Sequence, residues 1–238
     1  MNREFHKWLS PSLGREMEML IFGHAGQPVL VFPSSMGRFF EYEDRGMIHA
    51  IQYQIDHGQM QVFCPDSVDS ESWYNKGAHP ADRVKRHMAY ERYIVNEVVP
   101  LVRRVNPHHG IVTTGCSFGG YHAMNLALKQ PGIFTRCVSM SGAFDMRQFM
   151  GGYYDDNFYF ANPVDYLPKT QEGWYMNQYR DGNRYLLAVG EWDICLGENE
   201  RMAGIMHNKN IPHRLDIWGE RAVHDWPLWQ KMAQAYFR

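Results

Sequence analysis

The sequence predicts an α/β fold in which a mostly parallel β-sheet is covered by helices on both faces. Short apolar runs alternate along the chain with longer amphipathic stretches, and this alternation is typical of parallel sheets with crossover helices. The chain has 238 residues, of which 45% are hydrophobic, so it can bury one substantial core. Neither an internal repeat nor a linker is visible, and we expect a single domain over residues 1–238.

Each element follows from its local pattern of apolar residues. Helices are predicted at 40–54, 83–105, 123–129, 198–207 and 226–237, and Pro100 should kink the second of them. Strands are predicted at 16–22, 28–33, 61–64, 110–114, 135–140, 184–189 and 214–217.

One segment, residues 149–183, interrupts this alternation. It contains ten aromatic residues among glycines, prolines and polar turn residues, so we interpret it as an irregular insertion folded over one edge of the sheet. Its aromatic side chains either pack on the surface or line a substrate pocket. The pocket hypothesis names Tyr153, Tyr154, Phe158, Trp174 and Tyr175. If these only pack, the pocket is expected around Phe39, Trp73 and Tyr74.

Composition excludes several classes of function. Charged residues make up 21% of the chain and the formal net charge is −2, which does not suit a nucleic-acid surface. No apolar run approaches the roughly 18 residues of a membrane span, and the first residues lack a signal-peptide pattern. Four scattered cysteines without a CxxC pair indicate reduced thiols and a cytoplasmic protein. Motifs for a metal or nucleotide cofactor are missing, and we expect neither; the oligomeric state stays open.

The candidate nucleophile is Ser117. Residues 113–120 read Thr-Thr-Gly-Cys-Ser-Phe-Gly-Gly, a GxSxG motif that follows an apolar run and precedes a helix-compatible stretch. This strand-turn-helix context is what a nucleophile elbow needs, because a sharp turn lifts the serine above an α/β-hydrolase sheet. The adjacent thiol of Cys116 is a rival nucleophile. Only Ser117 has glycines two residues away on both sides, so Cys116 is interpreted as a packed residue.

A serine nucleophile needs a base and an acid that orients it, and in this fold the chain order is serine, acid, histidine. Asp193 follows the apolar run 185–189 and is the candidate acid, with Glu191 as its nearby competitor. Among the twelve histidines, only His207, His213 and His224 follow the acid. His224 lies between the last predicted strand and the last helix, so it is the candidate base.

Backbone amides should supply the oxyanion hole. The amide of Phe118 directly follows the nucleophile. The second donor should lie after the strand 28–32, at Ser35 or Met36.

Several of these segments resemble the putative esterase family, which includes esterase D (S-formylglutathione hydrolase), feruloyl, acetylxylan and enterochelin esterases, and mycolyltransferases. The similar segments are 10–16, 115–123, 131–134, 139–142 and 224–229. The resemblance implies an α/β-hydrolase without a large separate lid domain, and it places the triad roles on Ser117, Asp193 and His224. Many relatives have Asp-Gly in the oxyanion loop, whereas this chain has Pro33-Ser34-Ser35.

The sequence thus predicts a serine hydrolase that cleaves a small carboxylic ester or thioester through an acyl-enzyme. Two alternatives stay open at this point. The same triad can pass the acyl group to an alcohol, which would make the protein an acyltransferase. A binding protein without catalysis can also keep the fold as a scaffold.

Overall fold

The computed structural model describes residues 1–182 and 184–238. In this part of the chain, eight strands form one sheet. The strands are β1 (Arg3–Ser10), β2 (Arg15–Phe22), β3 (Gln27–Phe32), β4 (Met60–Pro65), β5 (Ile111–Cys116), β6 (Phe134–Met140), β7 (Tyr185–Gly190) and β8 (His213–Trp218).

The sheet order is β1-β2-β4-β3-β5-β6-β7-β8. β2 pairs antiparallel with both of its neighbours, whereas the pairs from β4 through β8 are all parallel. The sequence prediction of a mostly parallel sheet is therefore confirmed. Because β3 to β8 run in the same direction, the loops that leave their carboxyl ends meet at one edge.

The α-helices of the described residues flank this sheet. They are α1 (Glu41–Asp44), α2 (Met47–Ala50), α3 (Gln52–Asp56), α4 (Pro80–Tyr93), α5 (Val99–Val105), α6 (Phe118–Lys129), α7 (Asp156–Ala161), α8 (Pro163–Lys169), α9 (Trp174–Arg180), α10 (Leu196–Asn208) and α11 (Trp226–Tyr236). None of the helices in residues 1–182 and 184–238 has the length and apolar character needed to cross a membrane.

Two hydrophobic cores lie on opposite faces of the sheet, because successive side chains of a strand point to opposite sides. In β3, Leu30 and Phe32 belong to the core under α4, α5, α6, α8, α9 and α10, whereas Val29 and Val31 belong to the core under α1, α2, α3 and α11. A third buried cluster forms around Trp73, Phe118 and Phe158. The structure has no separate lid in its described residues.

Two predicted helices differ from the observed ones. The single helix expected at 40–54 is wrong: three short helices replace it, and the break after α1 falls at Gly46, whose φ of 72° is left-handed. The predicted kink near Pro100 occurs as a π-helical turn, Ile94–Val98, between α4 and α5. A proline cannot donate the next helical hydrogen bond, and the wider turn accommodates it.

The segment 149–183 is not irregular. Most of it forms α7, α8 and α9, which follow a short 3₁₀-helix at Met146–Phe149. The last residue of the predicted segment, Asn183, lies outside the described residues.

Candidate active site

Ser117 occupies a sharp turn between β5 and α6. Its φ of 56° and ψ of −118° are rarely adopted by a residue with a side chain, which is the strained backbone of a nucleophile elbow. The Ser117 amide donates to the Met140 carbonyl at 2.8 Å and ties the turn to the end of β6. The side chain is half-buried at the carboxyl edge of the sheet.

Glycines on both sides of Ser117 allow the backbone to pack closely around the turn. A Cβ on Gly115 would lie 2.4 Å from the carbonyl carbon of Gly119. A Cβ on Gly119 would lie 2.3 Å from the carbonyl oxygen of Phe32. Any larger residue at either position would push α6 away from β5 or β3. The GxSxG spacing therefore has a steric cause.

The serine, the histidine and the acid form a continuous chain of hydrogen bonds. Ser117 Oγ and His224 Nε2 are 2.9 Å apart, and His224 Nδ1 lies 2.7 Å from Asp193 Oδ1. Each residue follows the carboxyl end of a parallel strand: Ser117 follows β5, Asp193 follows β7 and His224 follows β8. The side chain of Asp225 caps α11 by accepting from the Leu228 amide at 3.1 Å, so the helix starts after His224 and leaves it in the loop.

The carboxyl group of Asp193 is held in its charged form. Burial alone would raise its pKa, but the His224 imidazole, the Ser141 hydroxyl and the Cys195 amide outweigh this effect and lower the pKa below its usual value. The Cys195 amide donates to Oδ1 at 2.8 Å, whereas Oδ2 is buried without a completed hydrogen bond. A charged carboxylate can orient the imidazole and stabilise its protonated form.

The aromatic ring of Trp229 supports this arrangement from the first turns of α11. It meets the His224 ring edge-on, with centroids 4.9 Å apart, and its indole N–H donates to Ser141 Oγ at 2.8 Å. Trp229 thereby links the base to Ser141, which in turn influences the acid. Sequence reasoning missed both contacts, although Trp229 lies in a segment that carries the family resemblance.

The competing residues lie elsewhere. Cys116 is buried beside Tyr42 in the core under α1 and α11, and burial raises the pKa of its thiol well above the usual value. The Glu191 carboxylate accepts from the Arg221 amide and so faces the β8 loop. His213 begins β8 at the opposite edge of the sheet, and His207 lies within α10.

Among the backbone amides at the catalytic edge, both candidate oxyanion donors have no acceptor among the described residues. The first belongs to Phe118, the first residue of α6, whose N-terminus favours negative charge. The second belongs to Ser35, in the loop after β3. Its neighbours are engaged: the Ser34 amide donates to Glu41 at 2.8 Å, and the Met36 amide donates to Asp69 at 3.2 Å. Of the two residues considered for the second donor, Ser35 has the free amide.

The expected pocket residues occupy different environments. Tyr74 is half-buried at the site: its hydroxyl donates to Ser35 Oγ at 2.8 Å, and its ring meets Phe118 edge-on at 5.5 Å. Trp73 and Phe158 are fully buried in the third cluster and offer no surface to a substrate. Phe39 packs against Phe5 and Phe40 beside the oxyanion loop.

The remaining aromatic residues contact none of the three residues Ser117, Asp193 and His224 in an aromatic pair or hydrogen bond of the described residues. The hydroxyl of Tyr153 donates to Asp155 at 2.9 Å, and Tyr154 is exposed beside Phe158. Trp174 is exposed and packs near Gly132, which precedes the amino end of β6. Tyr175 borders a cavity of about 380 Å³ between α6, α7, α8 and α9, and that cavity contains no triad residue. The pocket expectation for Trp174 and Tyr175 does not fit this placement.

In residues 1–182 and 184–238, one group of side chains presents three potential metal ligands: Asp193, Cys195 and His224, with ligand atoms within 4.8 Å of one another. Two of them are the hydrogen-bonded acid and base. Burial raises the pKa of the Cys195 thiol to about 12, which disfavours the thiolate that a metal would bind.

Comparison with known proteins identifies the family of this chain. A family model described as "Putative esterase" matches residues 10–236. The chain belongs to the putative esterase family. Membership of this family makes the protein a serine hydrolase of carboxylic esters. A search of curated proteins gave no match.

Solved structures share the fold of this family member. A ferulic acid esterase is 14% identical, with a TM-score of 0.78 over 98% of this chain and 95% of that one. The S-formylglutathione hydrolase FrmB of Staphylococcus aureus is 17% identical, with a TM-score of 0.76 over 99% and 97% of the two chains. MPT51 (FbpC1) of Mycobacterium tuberculosis is 16% identical, with a TM-score of 0.75 over 100% and 97%. At these identities the likeness concerns the fold.

Proposed function

We propose that Ser117 is the nucleophile of this esterase, with His224 as its base and Asp193 as its acid, and that the substrate is a small carboxylic ester or thioester. The observation that carries the proposal is the unbroken hydrogen-bond chain, 2.9 Å from Ser117 Oγ to His224 Nε2 and 2.7 Å from His224 Nδ1 to Asp193 Oδ1. A serine hydroxyl is a weak nucleophile until an adjacent base can take its proton.

In the first step, Ser117 Oγ attacks the carbonyl carbon while its proton moves to His224 Nε2. The carbonyl oxygen becomes an oxyanion. The protonated imidazole then gives this proton to the leaving alcohol or thiol, and the acyl group remains on Ser117. In the second step, water attacks the acyl carbon while His224 takes its proton. The bond from the acyl carbon to Ser117 Oγ then breaks, His224 returns the proton to Oγ, and the carboxylic acid leaves.

The free amides of Phe118 and Ser35 are the proposed donors to the oxyanion. Both lie where the chain leaves a parallel strand, β5 and β3, and these strands are direct neighbours in the sheet. Removal of a single oxyanion donor in a serine hydrolase typically lowers kcat by about 10²- to 10³-fold.

The rim of the site favours substrates with an apolar group. Trp192 and Ile194 flank Asp193, Val223 precedes His224, and all three side chains are exposed at the carboxyl edge. Tyr74 adds an aromatic face beside Phe118. We infer that these residues contact the acyl or alcohol part of the ester.

The four cysteines are free and buried, in keeping with the cytoplasmic location expected from the sequence.

Transfer to an acceptor alcohol is the second candidate, and what favours it is the resemblance of residues 115–123 to a family that includes mycolyltransferases. Incubation with an ester and a set of alcohols distinguishes the two, because a transferase forms a new ester faster than free acid. A purely binding role would leave the hydrogen-bond chain from Ser117 to Asp193 without a use.

A fluorophosphonate probe tests the proposal directly. We expect one adduct, on Ser117, in the folded protein and none in Ser117→Ala. Hydrolysis of an ester and thioester panel should fall by several orders of magnitude in Ser117→Ala and in His224→Ala. The double variant should be scarcely worse, because the two residues act in one step. A folded wild-type protein without an adduct, or additive losses, would contradict the assignment.

A further inference from the structure

Asp69 occupies a buried position behind the loop that follows β3. Its side chain is 1% exposed, and its two oxygens have different partners. Oδ2 accepts from the Met36 amide at 3.2 Å, and Oδ1 is bonded to His122 Nε2 at 3.1 Å. None of the roles assigned above uses Asp69 or His122, yet their contacts reach both proposed oxyanion donors.

The first contact holds a strained turn. Residues 34–37 form a turn closed by a 2.9 Å hydrogen bond from the Gly37 amide to the Ser34 carbonyl. Met36 has a φ of 60° while Ser35 stays outside the left-handed region, a pattern typical of a type II turn. A glycine usually fills this position, and a methionine there carries strain. The hydrogen bond to Asp69 stabilises the turn in this conformation.

A second carboxylate holds the other side of the same turn. Glu41 accepts from both the amide and the hydroxyl of Ser34, each at 2.8 Å. The turn allows this approach because Gly37 has no side chain: a Cβ there would lie 2.5 Å from Glu41 Oε2. The amides before and after Ser35 are therefore both tied to carboxylates, and the Ser35 amide between them stays free.

The other oxygen of Asp69 connects this turn to the nucleophile helix. His122 lies on α6, one helical turn after Phe118, and the two rings meet edge-on with centroids 5.0 Å apart. The His122 side chain is 2% exposed, and Phe32 packs against it at the end of β3. One buried carboxylate thus bridges the loop with the Ser35 amide and the helix with the Phe118 amide.

We propose that Asp69 is a positioning residue that sets the spacing of the two oxyanion donors, with His122 as its anchor on α6. This proposal rests on the oxyanion roles of Ser35 and Phe118. Hydrogen bonds to a charged carboxylate are shorter and stronger than hydrogen bonds between neutral groups. The Asp69 carboxylate therefore fixes the loop more firmly than an amide would. The oxyanion exists only after the attack on the carbonyl carbon. A displaced donor therefore destabilises the transition state more than it destabilises the bound substrate.

Asp69→Asn tests this role, because it keeps the size of the side chain and removes the charge and one acceptor. We expect kcat to fall about tenfold to a hundredfold, because displacing an oxyanion donor loses only part of the transition-state stabilisation that deleting it would lose. KM should stay within about twofold. The Ki of a trifluoromethyl ketone, whose adduct on serine carries an oxyanion, should rise by the same factor as kcat falls.

Glu91→Gln is the matched control. Glu91 is also a buried carboxylate beside a histidine, His87, at 3.2 Å, and it bonds to Asn125 on α6 at 2.6 Å. Its contacts do not include the loop after β3. We expect Glu91→Gln to lower Tm while kcat and the ketone Ki stay near wild type.

His122→Gln is the second variant, and it leaves the Asp69–Met36 bond in place. It should show the same coupled change of kcat and ketone Ki, to a smaller degree. Equal losses in Asp69→Asn and Glu91→Gln, or a lower Tm in Asp69→Asn with unchanged kcat and ketone Ki, would overturn the proposal. If the fluorophosphonate probe still reacts with Ser117, such results leave the triad assignment intact. If the folded wild-type protein does not react with the probe, the triad assignment itself is wrong.

Discussion

At the scale of single residues, Ser117 and Cys116 are chain neighbours with opposite environments. The strained backbone of Ser117 turns its hydroxyl toward His224, while Cys116 stays in β5 and points into the core. Such a sparsely populated backbone conformation destabilises the fold by about 1–3 kcal/mol, and the packing of the surrounding sheet and helix must offset this strain. We therefore expect reactivity at this turn to depend on direction and solvent access more than on the intrinsic nucleophilicity of sulfur.

Cys116→Ser should therefore keep most of the wild-type kcat. The variant replaces a packed thiol whose pKa is raised by burial, and it leaves the Ser117–His224 bond untouched. A small loss of stability is expected, about 1 kcal/mol, because a hydroxyl is more costly to bury than a thiol. Ester hydrolysis and Tm on the same samples check this; a loss comparable with Ser117→Ala at unchanged Tm would assign the chemistry to the thiol.

The two acids near the end of β7 should differ sharply. Asp193→Asn removes the charged partner of His224 Nδ1 and favours the wrong tautomer, so we expect kcat to fall by about 10⁴-fold. Glu191→Gln changes a group that faces the Arg221 amide, so kcat should stay within a few-fold of wild type. Steady-state kinetics of both variants at one pH decide between them. A larger loss in the glutamine variant would move the acid to Glu191.

The sequence identified triad candidates because chain order and strand ends restrict them strongly. Asp193 follows an apolar run and His224 follows the last predicted strand, and the carboxyl ends of parallel strands meet at one edge of a sheet. Asp69 and Glu41 carry no comparable signal. Each reads as an ordinary polar residue near a turn or helix end. Asp69 lies 33 residues from Met36 and 53 from His122, so these contacts form only when β3, β4 and β5 assemble. Glu41 lies seven residues from Ser34, and their contact depends on the conformation of the loop between them.

At the scale of elements, the segment α7–α9 shows what periodicity alone missed. Start signals were present: Asp155 caps α7 by accepting from the Phe158 amide at 2.7 Å, and Pro163 is the first residue of α8. The aromatic residues concealed these short helices because they lie on several faces. The helices then lead back to the amino end of β7, so the later aromatic residues finish far from the catalytic edge.

Activity should accordingly depend on Tyr74, whereas substrate preference should not depend on Trp174. Tyr74→Phe removes the hydrogen bond to Ser35 Oγ, so kcat/KM should fall about threefold to tenfold, as expected for one hydrogen bond of 0.5–1.5 kcal/mol. Trp174→Ala should leave the ranking of a panel of ester acyl chains unchanged. Kinetics over that panel provide the measurement. A changed ranking in Trp174→Ala with unaltered Tm would place α9 at the pocket.

At the scale of the whole molecule, stability depends on polar groups buried between α4 and α6. His87 is 1% exposed, and its Nε2 lies 3.0 Å from the Tyr121 hydroxyl and 3.2 Å from Glu91 Oε1. Burial lowers the pKa of His87 below its usual value of 6.5, because the cost of burying the charged imidazole outweighs the attraction of Glu91. Smaller repulsions from His122 and Lys129 lower the pKa further. The folded protein therefore keeps this imidazole neutral at a pH where the unfolded chain takes up a proton.

The sign of the resulting pH dependence follows from linkage. A histidine whose folded pKa is depressed contributes stability that is complete above its unfolded pKa of 6.5 and is lost as the pH falls toward the folded value. We expect Tm to drop between about pH 7 and pH 5, and His87→Gln to reduce that drop even though its Tm at neutral pH is lower. His57→Gln is the control. The His57 side chain is exposed and bonds to the Tyr53 carbonyl, so its replacement should leave the change of Tm with pH unaltered. Calorimetry of the three proteins across this range is the measurement, and an identical drop in wild type and His87→Gln would show that other groups govern the acid sensitivity.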